Sequence, residues 1–408
     1  MGNNTSLLSS KRGWLVTFCG TGINLALGIL YSWSVFKGAI PGDWGWTNAQ
    51  KALPYAVACF VFSLAMIPAG RLQDKIGPRW VATMGGVLVG IGFIVASLSG
   101  SSLWGFVIGF GILGGTGIGF GYASATPPAV KWFPPEKTGL ITGIVVSGFG
   151  LASVYIAPLA SKLLDVFSVS QAMMIFGVAF LVIVTILSQF LVNPPAKSNP
   201  SQSVSTVSFN NELSWKEMVS SGKFYVLWVT YFIGAGAGLT FISFAQDLGK
   251  KSLGELAFIA VAILAIGNAA GRIIAGFFSD RIGREKTIFY FLLAQAITVF
   301  ILYLVKEGAS WPIILLIILF IGGNYGSNLS LFPSATKDYF GLKNFGLNYG
   351  IVFTAWGASG LFLPWLNGKI RDLTGTNDLT FLVIVGLLLF GAFLIKIYSP
   401  SKKGTKTA

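Results

Sequence analysis

The residue types most able to do chemistry converge on Arg272. It lies in Asn268-Ala-Ala-Gly-Arg272-Ile-Ile-Ala-Gly276, deep inside an apolar stretch. An arginine at the centre of a hydrocarbon layer costs about 2.5–3.5 kcal/mol on the lenient insertion scale and by default marks a functional site. None of the 14 Asp and Glu residues falls in the middle of such a stretch, so the anion that Arg272 asks for is expected to come from outside the chain. A guanidinium offers a planar fork of donors that matches a carboxylate in bidentate fashion. Asn268, four residues earlier, shares its helix face and can add an amide hydrogen bond. Tyr31, Tyr122, Asn324, Tyr325, Asn328, Phe353 and Trp356, on other apolar stretches, are candidates to line the same cavity. The plainer reading is that Arg272 bonds only to backbone carbonyls and that the aromatics serve packing.

What is missing narrows the chemistry. Histidine is absent, and the two cysteines, Cys19 and Cys59, both sit in apolar stretches. Acid–base, nucleophile and metal constellations cannot be assembled there, so we expect no catalytic residues, metal or cofactor.

The elements that must hold these groups are membrane spans. Hydrophobic residues make up 54% of the 408, charged ones 10%, with 34 Phe and 52 Gly, and the mean hydropathy is +0.74. Stretches of about 20 apolar residues, enough to cross a bilayer, recur along nearly the whole chain. Twelve are read at 14–36, 50–70, 80–99, 103–129, 139–161, 170–193, 223–246, 253–279, 287–305, 311–333, 346–366 and 379–398. The net charge of +14 does not point to nucleic acid: with the N-terminus inside, 19 of the 28 Lys and Arg fall on the cytoplasmic side and 8 outside. That bias predicts both termini in the cytoplasm.

The longest polar stretch separates six spans from six. The expected organisation is an N-terminal bundle over 1–193, a cytoplasmic linker over 194–222 and a C-terminal bundle over 223–408. Within the linker, Ser214-Trp-Lys-Glu217 has capping-box spacing and predicts a short surface helix. An internal repeat supports the division. Gly70-Arg-Leu-Gln-Asp74-Lys75-Ile-Gly77-Pro-Arg79 returns 206 residues later as Gly276-Phe-Phe-Ser-Asp280-Arg281-Ile-Gly283-Arg284, and Trp132-Phe133 returns 207 residues later as Tyr339-Phe340.

On these loops the chain resembles the major facilitator superfamily over essentially its full length. The resemblance implies an all-α membrane protein of twelve transmembrane helices in two pseudo-symmetric six-helix bundles, with a central site that opens alternately to each side. It also implies that the loop residues Asp74, Arg79, Asp280 and Arg284 take part in gating. Tyr31-Ser-Trp33, Trp132-Phe-Pro134, Arg272 with Ser279-Asp280, Leu331-Phe-Pro-Ser334 and Asn348-Tyr-Gly350 make it look most like the oxalate:formate antiporter and monocarboxylate transporter branch. In that branch the span 8 arginine binds a carboxylate and aromatics matching Tyr31, Tyr122 and Tyr325 enclose it.

Two departures bear on the substrate. Trp356 stands where the oxalate antiporter has a second cation, which favours a monocarboxylate over a dianion. Asn268 and Tyr31 replace ionisable groups that the animal transporters link to proton coupling. The expectation is a secondary transporter of small monocarboxylates, lactate- or pyruvate-like, by proton symport, with exchange of organic anions as the alternative. A receptor on the same scaffold would call for a signalling module, and a membrane enzyme for side chains that the spans lack. The expected setting is the plasma (inner) membrane, the expected partners the bilayer, the small acid and a proton, and the expected state a monomer.

Overall fold

In a hydrocarbon layer every backbone polar group must be satisfied within the protein, so a chain this apolar folds into helices. The computed structural model describes residues 2–133, 138–194, 212–305, 310–341 and 344–398. Among the described residues twelve helices are long and apolar enough to cross a membrane: span 1 Lys11–Ala39, span 2 Asn48–Gln73, span 3 Pro78–Leu98, span 4 Leu103–Lys131, span 5 Ile141–Val166, span 6 Val169–Ser188, span 7 Gly222–Ser243, span 8 Gly254–Ile282, span 9 Arg284–Val305, span 10 Trp311–Phe340, span 11 Leu347–Thr374 and span 12 Asp378–Tyr398. Their outer faces are apolar: Ile273, Ile274, Phe277 and Phe278 of span 8 are exposed, while Asn268, Gly271, Ala275 and Ser279 of the same helix are buried. The protein is thus an all-α, multi-pass membrane protein.

Packing repeats between the halves. Span 1 touches spans 4, 5 and 6 as span 7 touches 10, 11 and 12; span 3 packs on 6 as 9 packs on 12; span 2 packs on 4 as 8 packs on 10. The two bundles meet along two equivalent seams, span 2 with span 11 and span 5 with span 8. The repeated loops have one shape. Gly77 and Gly283 close spans 2 and 8 at φ +89° and +93°, and their N–H groups donate to the carbonyls of Gln73 and Ser279. A positive φ is cheap only for glycine, which is why the repeat preserves Ile-Gly at both places.

Glycine also sets how close spans 8 and 10 come. A Cβ at Gly267 or Gly271 would strike the backbone of Leu319 or Gly323, and one at Gly322 or Gly326 would strike Leu264 or Asn268. This is the small-residue crossing that lets helices touch backbone to backbone in lipid. It seats Asn268 and Arg272 against the middle of span 10.

Two irregularities carry no sequence signal. Span 1 tightens into a 3₁₀ segment over Gly28–Ser32 before resuming as Trp33–Ala39, and span 4 widens into a π segment over Val107–Gly114. Neither contains proline. Gly28 lies directly against Phe149 and Ala152 of span 5, so the tightened turn holding Tyr31 sits at a close crossing. Span 7 ends at Ser243, and a separate helix over Ala245–Leu253 follows, largely in the connection between the stretches read at 223–246 and 253–279.

Residues 195–211 lie outside the described part of the linker. Beyond them Trp215–Val219 forms a short helix, with the Ser214 hydroxyl accepting from the Glu217 N–H and Glu217 accepting from the Ser214 N–H. Leu213 ties it down: its N–H donates to the Phe340 carbonyl at 3.1 Å, and its carbonyl accepts from the Asn344 and Asn348 amides at 3.1 and 3.0 Å. The end of the bundle bearing this helix is called the linker face below, and the opposite end the far face.

Candidate functional site

Arg272 reaches from span 8 across the seam to span 5. Its Nε donates to Asn268 Oδ1 at 3.2 Å and one terminal nitrogen donates to the Val146 carbonyl at 3.2 Å. Gly150, one turn after Val146, lies beside the guanidinium: a Cβ there would stand 3.5 Å from it, in ordinary van der Waals contact. Among the described residues no carboxylate pairs with Arg272, and no other charged side chain occupies the middle of a span. A guanidinium can only donate, so its bond to Asn268 fixes which way that amide faces. The Asn268 Nδ2 group is consequently turned from Arg272, fully buried and without a partner. A buried donor left unsatisfied costs about 1–3 kcal/mol, which a bound acceptor would recover.

Aromatic rings make the walls. Phe62 lies at the centre, edge-on to Tyr122, Phe353 and Trp356 at centroid separations of 5.4, 5.8 and 5.2 Å. Phe353 and Trp356 stack at 5.0 Å, and Phe149 meets both Tyr31 and Tyr122 edge-on at 5.0 and 5.3 Å. The Tyr122 hydroxyl faces the guanidinium. Tyr31 and Tyr325 join the halves through a hydroxyl pair 2.6 Å apart, and the Trp356 indole donates to the Tyr325 oxygen at 2.9 Å. Asn268 packs against Gly326, so Tyr325 stands level with Asn268, one turn further from the linker face than Arg272. The tyrosine pair therefore shuts the site on its far side.

The two faces differ. Toward the far face, span 11 presses on span 2: a Cβ on Gly360 would come 2.7 Å from Cys59 Cβ, and one on Gly368 2.6 Å from Ala49 Cα. Toward the linker face, a Cβ on Gly276, one turn below Arg272, or on Gly143, two turns below Gly150, would meet nothing within 4 Å. Spans 2 and 11 are close-packed at the far end, and spans 5 and 8 have open space beside them at the linker end.

Of the expected site residues, the structure gathers Arg272, Asn268, Tyr122, Tyr31, Tyr325, Trp356 and Phe353. Asn328 is placed otherwise: its amide donates to the Asn324 and Tyr325 carbonyls at 3.0 and 3.1 Å, and its oxygen abuts Gly234 of span 7. Both of its donors are spent on its own helix. Phe62 and Phe149 were not expected; with 34 phenylalanines in the chain, a span phenylalanine carries no distinguishing mark.

The expected gating residues sit at the linker face. Arg284 donates to Asp280 and Ser279 at 2.7 Å each and to Asp338 at 2.8 Å, and Arg79 donates to Gln189 at 2.6 Å. These bonds stay within one half, so here they brace each bundle and do not bridge the two. The Asp74 side chain lies outside the described residues.

Comparisons with known proteins agree on one lineage. The profile of the Major Facilitator Superfamily matches residues 13–364 and again 243–407. The oxalate:formate antiporter of Oxalobacter formigenes is 27% identical over 99% of this chain and 94% of its own. The MFS-type transporter YhjX of Escherichia coli is 28% identical over 85% of both chains, and human monocarboxylate transporter 11 is 25% identical over 94% of this chain and 82% of its own. Among solved structures, a D-xylose–proton symporter superposes with a TM-score of 0.74 at 13% identity, covering 97% of this chain and 99% of that one, a likeness of fold alone.

Proposed function

Because this chain belongs to the Major Facilitator Superfamily, we propose that it carries small monocarboxylates of the lactate or pyruvate kind across a membrane by alternating access, together with a proton. The observation that carries this reading is the half-buried guanidinium at the middle of a span, without an acidic partner among the described residues, set in an aromatic wall beside an orphaned amide donor. Arg272 takes the carboxylate in bidentate fashion, Asn268 Nδ2 offers one further hydrogen bond, and Phe62, Phe149, Phe353 and Trp356 enclose the short carbon chain. One cation suits one negative charge.

The moving units in this reading are residues 1–193 and 223–408, tethered by 194–222. The linker face is cytoplasmic, both termini are inside, the membrane is the plasma (inner) membrane, and the protein works as a monomer. The open space beside Gly143 and Gly276 then corresponds to an inward-open state. Asp74, Arg79, Asp280 and Arg284 guard the mouth that is open here.

Proton symport makes the loaded cycle electroneutral, and it has a direct test. In proteoliposomes with a pH-sensitive dye trapped inside, an inward lactate gradient should acidify the lumen; lactate entry with no pH change would end the symport version. A second reading, obligatory exchange of organic anions, is favoured by Asn268, whose amide holds no exchangeable charge where a carboxylate could have relayed a proton. Exchange predicts uptake of labelled acid only into vesicles preloaded with unlabelled acid.

A further inference from the structure

The far face holds a set of contacts that the substrate site does not explain. The first turn of span 2 has four backbone N–H groups to satisfy. The Thr47 hydroxyl takes that of Gln50 at 3.3 Å, and the Gln50 side chain takes that of Thr47 at 2.8 Å. The other two are taken from the opposite half: Asp372, near the end of span 11, accepts from the Asn48 and Ala49 N–H groups at 2.8 and 3.1 Å, and from the Asn48 amide at 3.0 Å. A carboxylate on a helix N-terminus also interacts favourably with the helix dipole. Its neighbour Arg371 is held by Asp247 at 2.7 Å. Against that pair lies Lys37 of span 1, only 5% exposed and within electrostatic reach of both partners.

We propose that Asp372 is the latch of the far mouth, holding spans 2 and 11 together while the site faces the linker side and releasing span 2 when the site turns outward. Two opposed effects poise it. The carboxylate–helix contact favours the shut state, whereas burying the Lys37 ammonium, a cost only partly offset by the Asp247 and Asp372 carboxylates, disfavours it. Opening returns Lys37 to water, and water can replace the partners of Asp372, which is already exposed in the shut state. Neither state is thereby locked. The proposal rests on the alternating-access reading and not on the identity of the substrate.

The test is a distance across the far face. Spin labels on Val166→Cys and Leu256→Cys, which are 76% and 53% exposed on opposite halves, report it by electron–electron resonance, while native Cys19 and Cys59 are buried. Asp372→Asn should move the distribution toward longer separations, raising the far-open to far-shut ratio roughly 5- to 30-fold, and Asn48→Ala should give a smaller shift of the same sign. An unchanged distribution in both overturns the latch. Asn48→Cys/Asp372→Cys offers a separate arm. Oxidised, it should hold the short distance and stop radiolabelled L-lactate uptake, with recovery on reduction; a far face that still opens, or uptake that continues with the disulfide formed, overturns the proposal. Failure of the unchanged protein to move lactate would count against the carboxylate reading alone, because the distances need no substrate.

Discussion

Arg272→Gln lowers the initial rate of radiolabelled L-lactate uptake by roughly 30-fold to a few thousand-fold, with the protein still present in the membrane. Removing one partner of a buried, hydrogen-bonded charge pair costs about 2–5 kcal/mol, and each 1.4 kcal/mol is tenfold. Arg272→Lys does not restore the rate, because an ammonium is a point charge without the planar fork. Excess oxalate competes weakly with the unchanged protein, since its second carboxylate meets Trp356, which offers no charge. Full uptake by Arg272→Gln would remove the arginine from the mechanism, and strong competition by oxalate would move the reading to the exchanger.

Gly271→Ala, a change of one methyl group, lowers the melting temperature by several degrees and cuts uptake at least tenfold. The new Cβ would fall on the carbonyl of Gly323, which is helix backbone and cannot swing aside. Spans 8 and 10 must move apart, and overpacking of this kind costs about 1–3 kcal/mol. The functional loss follows because Arg272 and Asn268 move with span 8, and a misplacement of about 1 Å can cost a hundredfold. Gly386→Ala in span 12 is the control: a Cβ there would meet nothing within 4 Å, and alanine is the better helix former. Thermal unfolding in detergent and vesicle uptake, run on both variants, decide the matter. Equal losses in the two would mean that the span 8–span 10 crossing holds no special place.

What could be read from the residues follows from which signals are local. Spans are legible because the bilayer dictates length and composition together, and the repeated Asp-Lys/Arg-Ile-Gly loops because a positive φ admits little besides glycine. Arg272 stood out as a charge where charges are expensive, and Asn268 by helical spacing from it. Tyr31, Tyr122, Tyr325 and Trp356 could be named because each has a polar atom to declare it. Phe62 and Phe149 have none, although they occupy the middle of the wall. Asn328 looked equivalent to Asn268 by residue type; only the path of span 10 shows that its donors turn back on their own helix. The 3₁₀ turn around Tyr31 lies at a close crossing with span 5, and the Asp372 contact is made with backbone N–H groups, which every residue has. Both depend on pairs of elements far apart in the chain.

The solitary charge at the centre has a consequence for energetics. On the reading that the linker face is inside, a site holding Arg272 alone is positive when empty, neutral when it carries a bare monoanion, and positive again when a proton rides with the acid. The empty site then turns outward against a voltage that is negative inside; moving one charge through 100 mV is worth about 2.3 kcal/mol, which would slow that return up to roughly fortyfold. In symport the loaded, protonated passage is favoured by the same amount, so voltage shifts the slow step without changing the gradient that can be reached. Exchange never makes the empty return and is blind to the potential.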